Sequence, residues 1–279
     1  MKKILTLLLM CFIVSADAIA QNTPCDTCPA STKKKGSFYL LWGYNRDWYA
    51  KSTIHFSNNG DPTRQDQYGS YDFKIYDAKA NDRPDFDAIY KSFIDVTIPQ
   101  FSARVGYYFN DKKNQGVEIN YDHAKYVVAN YQTVRMAGTA FGQAFDKDSI
   151  LDPKYIHFEH TDGANFWTFN YLRKWNLYTS KNQKHFIDFI AKGGIGFVYP
   201  RTDATIFGHR LNNNWHISGV CAGVETGIRA LFWKHFTLEL TGKGVAANYI
   251  KCLVQGKGNG KASQKILATE AIFCFGYTF

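Results

Sequence analysis

Three short stretches of the sequence carry residue types that can do chemistry. His55-Phe56-Ser57 sets a base and a hydroxyl two residues apart, a spacing that puts both on one face of a β-strand. There the imidazole would take the serine proton, provided a carboxylate orients the ring. Asp61, Asp66 and Asp72 are near enough in sequence to serve, whereas the first glutamate of the chain is Glu118. Asn58-Asn59-Gly60-Asp61-Pro62 follows at once and reads as a turn, which predicts that the pair sits near a loop tip. The second stretch, Glu159-His160-Thr161-Asp162, places His160 and Asp162 on a common strand face, where they can form a base or a ligand-facing pair. His157 falls on the opposite face from His160, so no metal pair is expected there. The third is Cys25-Asp26-Thr27-Cys28, whose setting predicts a small local disulfide or two free thiols. With no second CxxC and no histidine pair at ligand spacing, no metal and no cofactor is expected.

The elements that would position these residues are strands. In Lys265–Phe279 the odd positions from Leu267 on, namely Leu267, Ala271, Phe273, Phe275, Tyr277 and Phe279, are apolar apart from Thr269. The even positions Ala268, Glu270, Ile272, Cys274, Gly276 and Thr278 carry mostly small residues and a carboxylate. A period of two with an aromatic face and a carboxylate on the other suits a membrane barrel, where alternate residues meet lipid and lumen. The same alternation recurs at 98–109, 117–128, 155–175, 185–199, 216–231 and 236–250. Ser37–Tyr49 is aromatic on both faces, and Tyr71–Ala78 alternates weakly. No stretch holds a 3.6-residue period, so the chain is expected to be all-β.

The N-terminus predicts export. Lys2 and Lys3, the apolar run Ile4–Val14 and Ala18-Ile19-Ala20 make a signal peptide over 1–20, too short in its apolar part to span a bilayer. Residues 21–36 form a flexible leader rich in Pro, Thr, Ser and Lys, and 37–279 the barrel. Cleavage lowers the net charge from +9 to +8. In an exported barrel that basic balance points to anionic lipid and lipopolysaccharide and not to nucleic acid, and the last-loop lysines Lys251, Lys257, Lys261 and Lys265 can meet lipopolysaccharide phosphates.

Short connections at 110–116, 176–184 and 232–235 alternate with long ones at 130–154, 200–214 and 251–264. That rhythm belongs to an antiparallel up-and-down transmembrane barrel with periplasmic N- and C-termini and long extracellular loops. Eight strands is the preferred count, with 50–97 as a large excursion holding Tyr71–Ala78. Ten follows if Tyr71–Ala78 and a weak strand near Tyr90–Val96 also cross.

The inward parity of these strands collects Arg104, Glu118, Asp122, Asp188, Lys192, Glu225, Arg229, Glu239, Lys243 and Glu270. An eight-stranded barrel is just wide enough for side chains to fill, so these residues are expected to pair into a plug. Glu239 and Lys243, on one inward face, are expected to share a network.

Three resemblances follow. The ending Tyr277-Thr278-Phe279 resembles the C-terminal assembly signal of bacterial outer-membrane barrels, although Cys274 stands where that pattern usually has glycine. It implies Tyr277 and Phe279 as the signal, with the barrel assembly machinery as a partner during biogenesis. His55-Phe56-Ser57-Asn58 resembles the His-x-Ser-Asn motif of outer-membrane lipid A deacylases, and this implies His55 as base and Ser57 as nucleophile. The downstream glutamate that orients the histidine in that family has no counterpart here. Taken over 37–279, the pattern resembles small porin-like or adhesion-type outer-membrane barrels. A non-enzymatic envelope protein with a polar filled lumen, acting in envelope integrity, adhesion or surface interaction, is the first expectation. A lipid A deacylase-like hydrolase and a narrow porin are the alternatives.

Overall fold

The computed structural model describes residues 36–84, 100–109, 114–160, 162–212, 214–255 and 260–279. The expected signal peptide, the Cys25–Cys28 pair and the alternative strand expected near Tyr90–Val96 lie outside them. The described residues form strands and turns, with no helix.

Eight strands close a ring. They are β1 (Ser37–Tyr49), β5 (Phe101–Tyr108), β6 (Gln115–His123), β11 (Phe166–Thr179), β12 (Phe186–Val198), β15 (Gly219–Phe232), β16 (Phe236–Leu253) and β17 (Lys261–Thr278). Each pairs antiparallel with the next, and β17 returns to β1 with Tyr39 opposite Thr278. Closure leaves no unpaired edge, the condition for a sheet to stand in lipid. The tight turns after β11 and β15 lie at the end of the ring that holds Ser37 and Phe279. Among the described strands the count is eight: Tyr71–Ala78 forms a strand but does not join the ring.

At the other end the ring opens into a sheeted cap. From β17 the sheet runs on through β2 (Ser52–Asn58), β3 (Tyr71–Ala78), β8 (Thr133–Ala140) and β9 (Gln143–Ile150). From β1 it runs through β4 (Ala80–Asn81), β7 (Tyr126–Val128), β10 (Ile156–His160), β13 (Asp203–Ile206) and β14 (His209–Asn212). The polar stretches at 130–154 and 200–214, which read as loops, are therefore two β-hairpins. The readings at 117–128 and 155–175 each divide in two, because the chain leaves the ring at Ala124 and enters it again at Phe166. His55 and Ser57 stand in the last residues of β2, just before the 59–70 connection to β3.

Burial follows strand parity. On β1 the odd residues Tyr39, Leu41, Asn45 and Asp47 point inward, while Phe38 and Leu40 point out. The outer face of the ring is apolar, with Val117, Ile119, Phe169, Ile195, Val220, Val224, Leu240, Leu267 and Phe273 all exposed. Toward the end that holds Ser37 and Phe279 it turns aromatic, with Phe38, Phe109, Trp175, Trp233, Phe236, Tyr277 and Phe279 exposed. Strands of 18 residues such as β16 and β17 reach about 60 Å at ~3.3 Å per residue. That is far more than an apolar band of about 25 Å needs, so their upper parts serve the cap. There a buried apolar cluster joins ring residues Phe166, Val198, Val245, Tyr249 and Ile266 to cap residues such as Ile54, Phe56, Phe73, Phe158 and Ile206.

Candidate functional site: the charged interior

Inward positions of neighbouring ring strands face each other through the ladder, so register decides which charges meet. One row runs Asp47, Glu270, Lys243, Glu225 and Lys192 across β1, β17, β16, β15 and β12. A second row runs Asp188, Arg229 and Glu239 across β12, β15 and β16. Apart from the neighbouring carboxylates Asp47 and Glu270, the sign alternates along each row, which is the favourable cross-strand arrangement.

The side chains then condense into groups. Arg104 Nη1 lies 2.5 Å from Glu225 Oε1 and 2.7 Å from Glu239 Oε1. Lys192 Nζ lies 2.8 Å from both Glu118 Oε1 and Glu239 Oε1 and 3.3 Å from Glu225 Oε1. Arg229 Nη2 reaches Glu118 Oε2 at 3.1 Å and also pairs with Glu239. Three cations thus share three carboxylates, and hydroxyls complete the shell. Tyr39 donates to Glu118 at 2.5 Å, Thr241 donates to Glu225 at 2.6 Å, and Arg229 donates to the Tyr108 hydroxyl.

Above this group Lys243 pairs with Asp122 and with Glu270, the latter at 3.3 Å, and Ser102 donates to Asp122 at 2.6 Å. Near the turn end of the ring Asp188 pairs with Lys174 at 2.5 Å and accepts from Asn176. All ten residues on the inward parity are buried, and Arg104 and Glu118 are each 1% exposed. A wet channel would leave its lining accessible. This section is packed with ion pairs, and the apolar cluster stacks above it. Glu239 and Lys243, though on one face, belong to different groups. A separation of four positions along β16 carries Glu239 toward Arg104 and Lys192, and Lys243 toward Asp122 of β6 and Glu270 of β17.

His160 and Asp162 do not pair. His160 is fully buried beneath the cap, stacked 5.2 Å from the Tyr249 ring. Gln264 Nε2 donates to its Nε2 at 3.3 Å, which leaves Nδ1 to carry the proton toward Thr202 Oγ1 at 3.2 Å. Burial holds its pKa down at about 3, so the ring is neutral. Asp162 lies past the end of β10 and pairs with Arg201 at 2.7 Å, half-exposed. The i, i+2 parity failed because β10 ends between them.

His55 and Ser57 do share the outward face of β2, and His55 Nε2 lies 2.7 Å from Asp72 Oδ1 on β3. Asp72, one of the three aspartates near in sequence, is thus the carboxylate beside His55. The geometry gives no hydrogen bond between His55 and Ser57, and Asp72 is two-thirds exposed. At the opposite end Tyr277 and Phe279 are exposed with ring centroids 5.1 Å apart, and Cys274 is buried within the ring.

No family model matches the sequence, and no curated protein matches it. Solved structures do share the outline. The Neisserial surface protein NspA aligns over 85% of this chain and 99% of its own, at 10% identity and a TM-score of 0.31. The outer membrane protein OprG from Pseudomonas aeruginosa aligns over 88% and 97%, at 14% identity and 0.36. The attachment invasion locus protein Ail of Yersinia pestis aligns over 88% and 99%, at 12% identity and 0.30. The closure of the ring rests on its own hydrogen-bond ladder, independent of these likenesses.

Sequence reasoning missed Asp47, Lys174, Tyr39 and Tyr108. Asp47 is buried and accepts from Gln100 Nε2 at 3.0 Å. Its signal was present, since Asn45 and Asp47 stand at odd positions in line with Tyr39 and Leu41. Lys174 continues the parity of Thr168 and Asn170 toward the turn.

Proposed function

We propose that this protein is an exported outer-membrane barrel with a closed lumen, which acts through its capped outer end in envelope integrity, adhesion or surface interaction and not by catalysis or conduction. The observation that carries this reading is the combination of an apolar outer face with a lumen filled by neutralised charges. An apolar exterior over an ion-paired interior inverts the soluble pattern and matches the demands of lipid. The signal-peptide pattern at 1–20 supports export. The aromatic belt near the termini and the short turns there support a periplasmic placement of that end, with the cap outside.

The test is fractionation with heat-modifiable gel migration, followed by single-molecule conductance of the refolded protein in a planar bilayer. Outer-membrane recovery, a heat-dependent shift and no stepwise conductance are expected. Recovery as a soluble monomer would overturn the reading, and steady ohmic steps would restore the narrow porin.

The His55–Asp72 contact favours a second reading, an outer-leaflet lipid hydrolase with Ser57 as nucleophile. Against it stand the open, solvent-washed strand face and the lack of a Ser57–His55 bond, since a nucleophile is activated only within about 3 Å of its base. Mass spectrometry of lipid A with and without the gene separates the two.

A further inference from the structure

The outward face of the cap nearest the lipid band carries three lysines, Lys74, Lys261 and Lys265, outside the ion pairs of the described residues. The ladder places Lys261 of β17 opposite Ser57 of β2, and Ser57 opposite Asp72 of β3. The next outward row is Ser263, His55 and Lys74. Lys265 follows on β17, and Leu267, exposed and apolar, comes immediately below it. Counting along β17 at ~3.3 Å per residue, Lys265 stands about 7 Å above Leu267 and Lys261 about 20 Å above it. Lys74 reaches the level between them, two strands away.

All three lysines are exposed, and among the described residues none makes an ion pair. The nearby carboxylate Asp72 is taken by His55 at 2.7 Å. Asp77, near the end of β3, lies two strands from Lys265, about 10 Å at ~4.8 Å per strand. Between the lysines stand short hydroxyls, Ser57 and Ser263, which add donors without bulk. A flat strand face with unpaired ammonium groups, small hydroxyls and an apolar rim beneath is complementary to an anionic headgroup whose tails lie against the barrel. Ammonium groups bind phosphate as compact point charges and are drawn to an anionic membrane surface.

We infer that Lys74, Lys261 and Lys265 form a docking face for the phosphate groups of a phosphorylated lipid in the leaflet around the capped end. This rests on the membrane reading above, and the experiment separates the two. Mature protein is refolded into phosphatidylcholine vesicles alone, or into vesicles that also hold bisphosphorylated lipid A or its dephosphorylated form. The temperature midpoint of the heat-modifiable gel shift is then measured.

For the wild type the midpoint is expected to rise with the phosphorylated lipid and not with its dephosphorylated form. The triple variant Lys74→Gln/Lys261→Gln/Lys265→Gln should lose most of that rise, and Lys→Arg at the same three positions should keep it. Removing equal charge elsewhere on the cap, with Lys79→Gln/Lys147→Gln/Lys154→Gln, should leave the rise in place. A rise that survives the first variant, or that disappears equally in the last, overturns the assignment. So does an equal rise produced by inorganic phosphate over phosphatidylcholine vesicles, which would make the ligand a free anion. Failure of the wild type to insert into phosphatidylcholine overturns the membrane reading and this face with it, whereas insertion without a phosphate-dependent rise overturns this face alone.

Discussion

The rings of Phe141 and Phe207 meet with centroids 4.6 Å apart, each from the tip of a different hairpin. Both residues occupy the first central position of a two-residue turn, Phe141-Gly142 and Phe207-Gly208. All four have positive φ, at 55°, 75°, 51° and 84°. That is the primed turn whose twist matches a β-hairpin, but a phenylalanine in the left-handed region costs about 1 kcal/mol or more. The contact offsets the cost. Phe207 also packs against Tyr71, Phe73 and Tyr155, so the two turns lock the halves of the cap over its core.

Removing that lock should loosen the cap and spare the ring. Phe207→Ala is expected to cost about 3 kcal/mol or more. Limited proteolysis should then cut within β8 and β9 while the heat-modifiable shift persists. Simultaneous loss of both signals would mean that cap and ring fold as one unit.

The three-cation, three-carboxylate group predicts a signed coupling. Arg229→Met or Glu239→Met alone leaves a buried charge without its partner and should destabilise by about 3–5 kcal/mol. The double variant should cost clearly less than the sum of the two in a denaturant cycle. Glu239 and Lys243, which sit in different groups, should instead come out nearer to additive. The reverse ranking would refute the grouping.

His160 gives the cap a pH dependence of known sign. Its folded pKa of about 3 lies below the ordinary 6.5 because the ring is buried. Between those values the unfolded chain binds a proton that the folded cap excludes, so stability is whole above about pH 6.5 and is lost as pH falls toward 3. The slope is at most about 1.4 kcal/mol per pH unit. His160→Gln should flatten that part of the stability–pH curve. An unchanged slope would show that other groups set it.

For the hydrolase alternative, Ser57→Ala is expected to leave lipid A acylation unchanged. Loss of a deacylated species in that variant would move the function from surface protein to enzyme.

The C-terminal aromatics should matter for assembly. Deleting Phe279, which is exposed beside Tyr277, should lower the folded fraction in the outer membrane, read as loss of the heat-modifiable band. Wild-type levels would remove it from the assembly signal.

The sequence by itself determined what depends on local period. Alternation of apolar and polar residues named seven of the eight ring strands closely enough to assign their faces, and it put ten charges on the inward side before any pairing was known. A period of two survives in the sequence because one face must meet apolar surroundings and the other a sealed lumen. What only the tertiary structure decided depends on register and on where strands leave the ring. Which carboxylate meets which cation follows from the register around the ring and from contacts across the lumen. Arg104 on β5 meets Glu239 on β16, two strands that share no ladder. The cap was hidden for a related reason. Its hairpins turn at Phe-Gly, where the usual Asn-Gly or Asp-Gly signal is missing, and the penalty of those turns is recovered only through contacts far apart in the chain. His160 and Asp162 parted because a strand ended between them, and no local pattern marks that end.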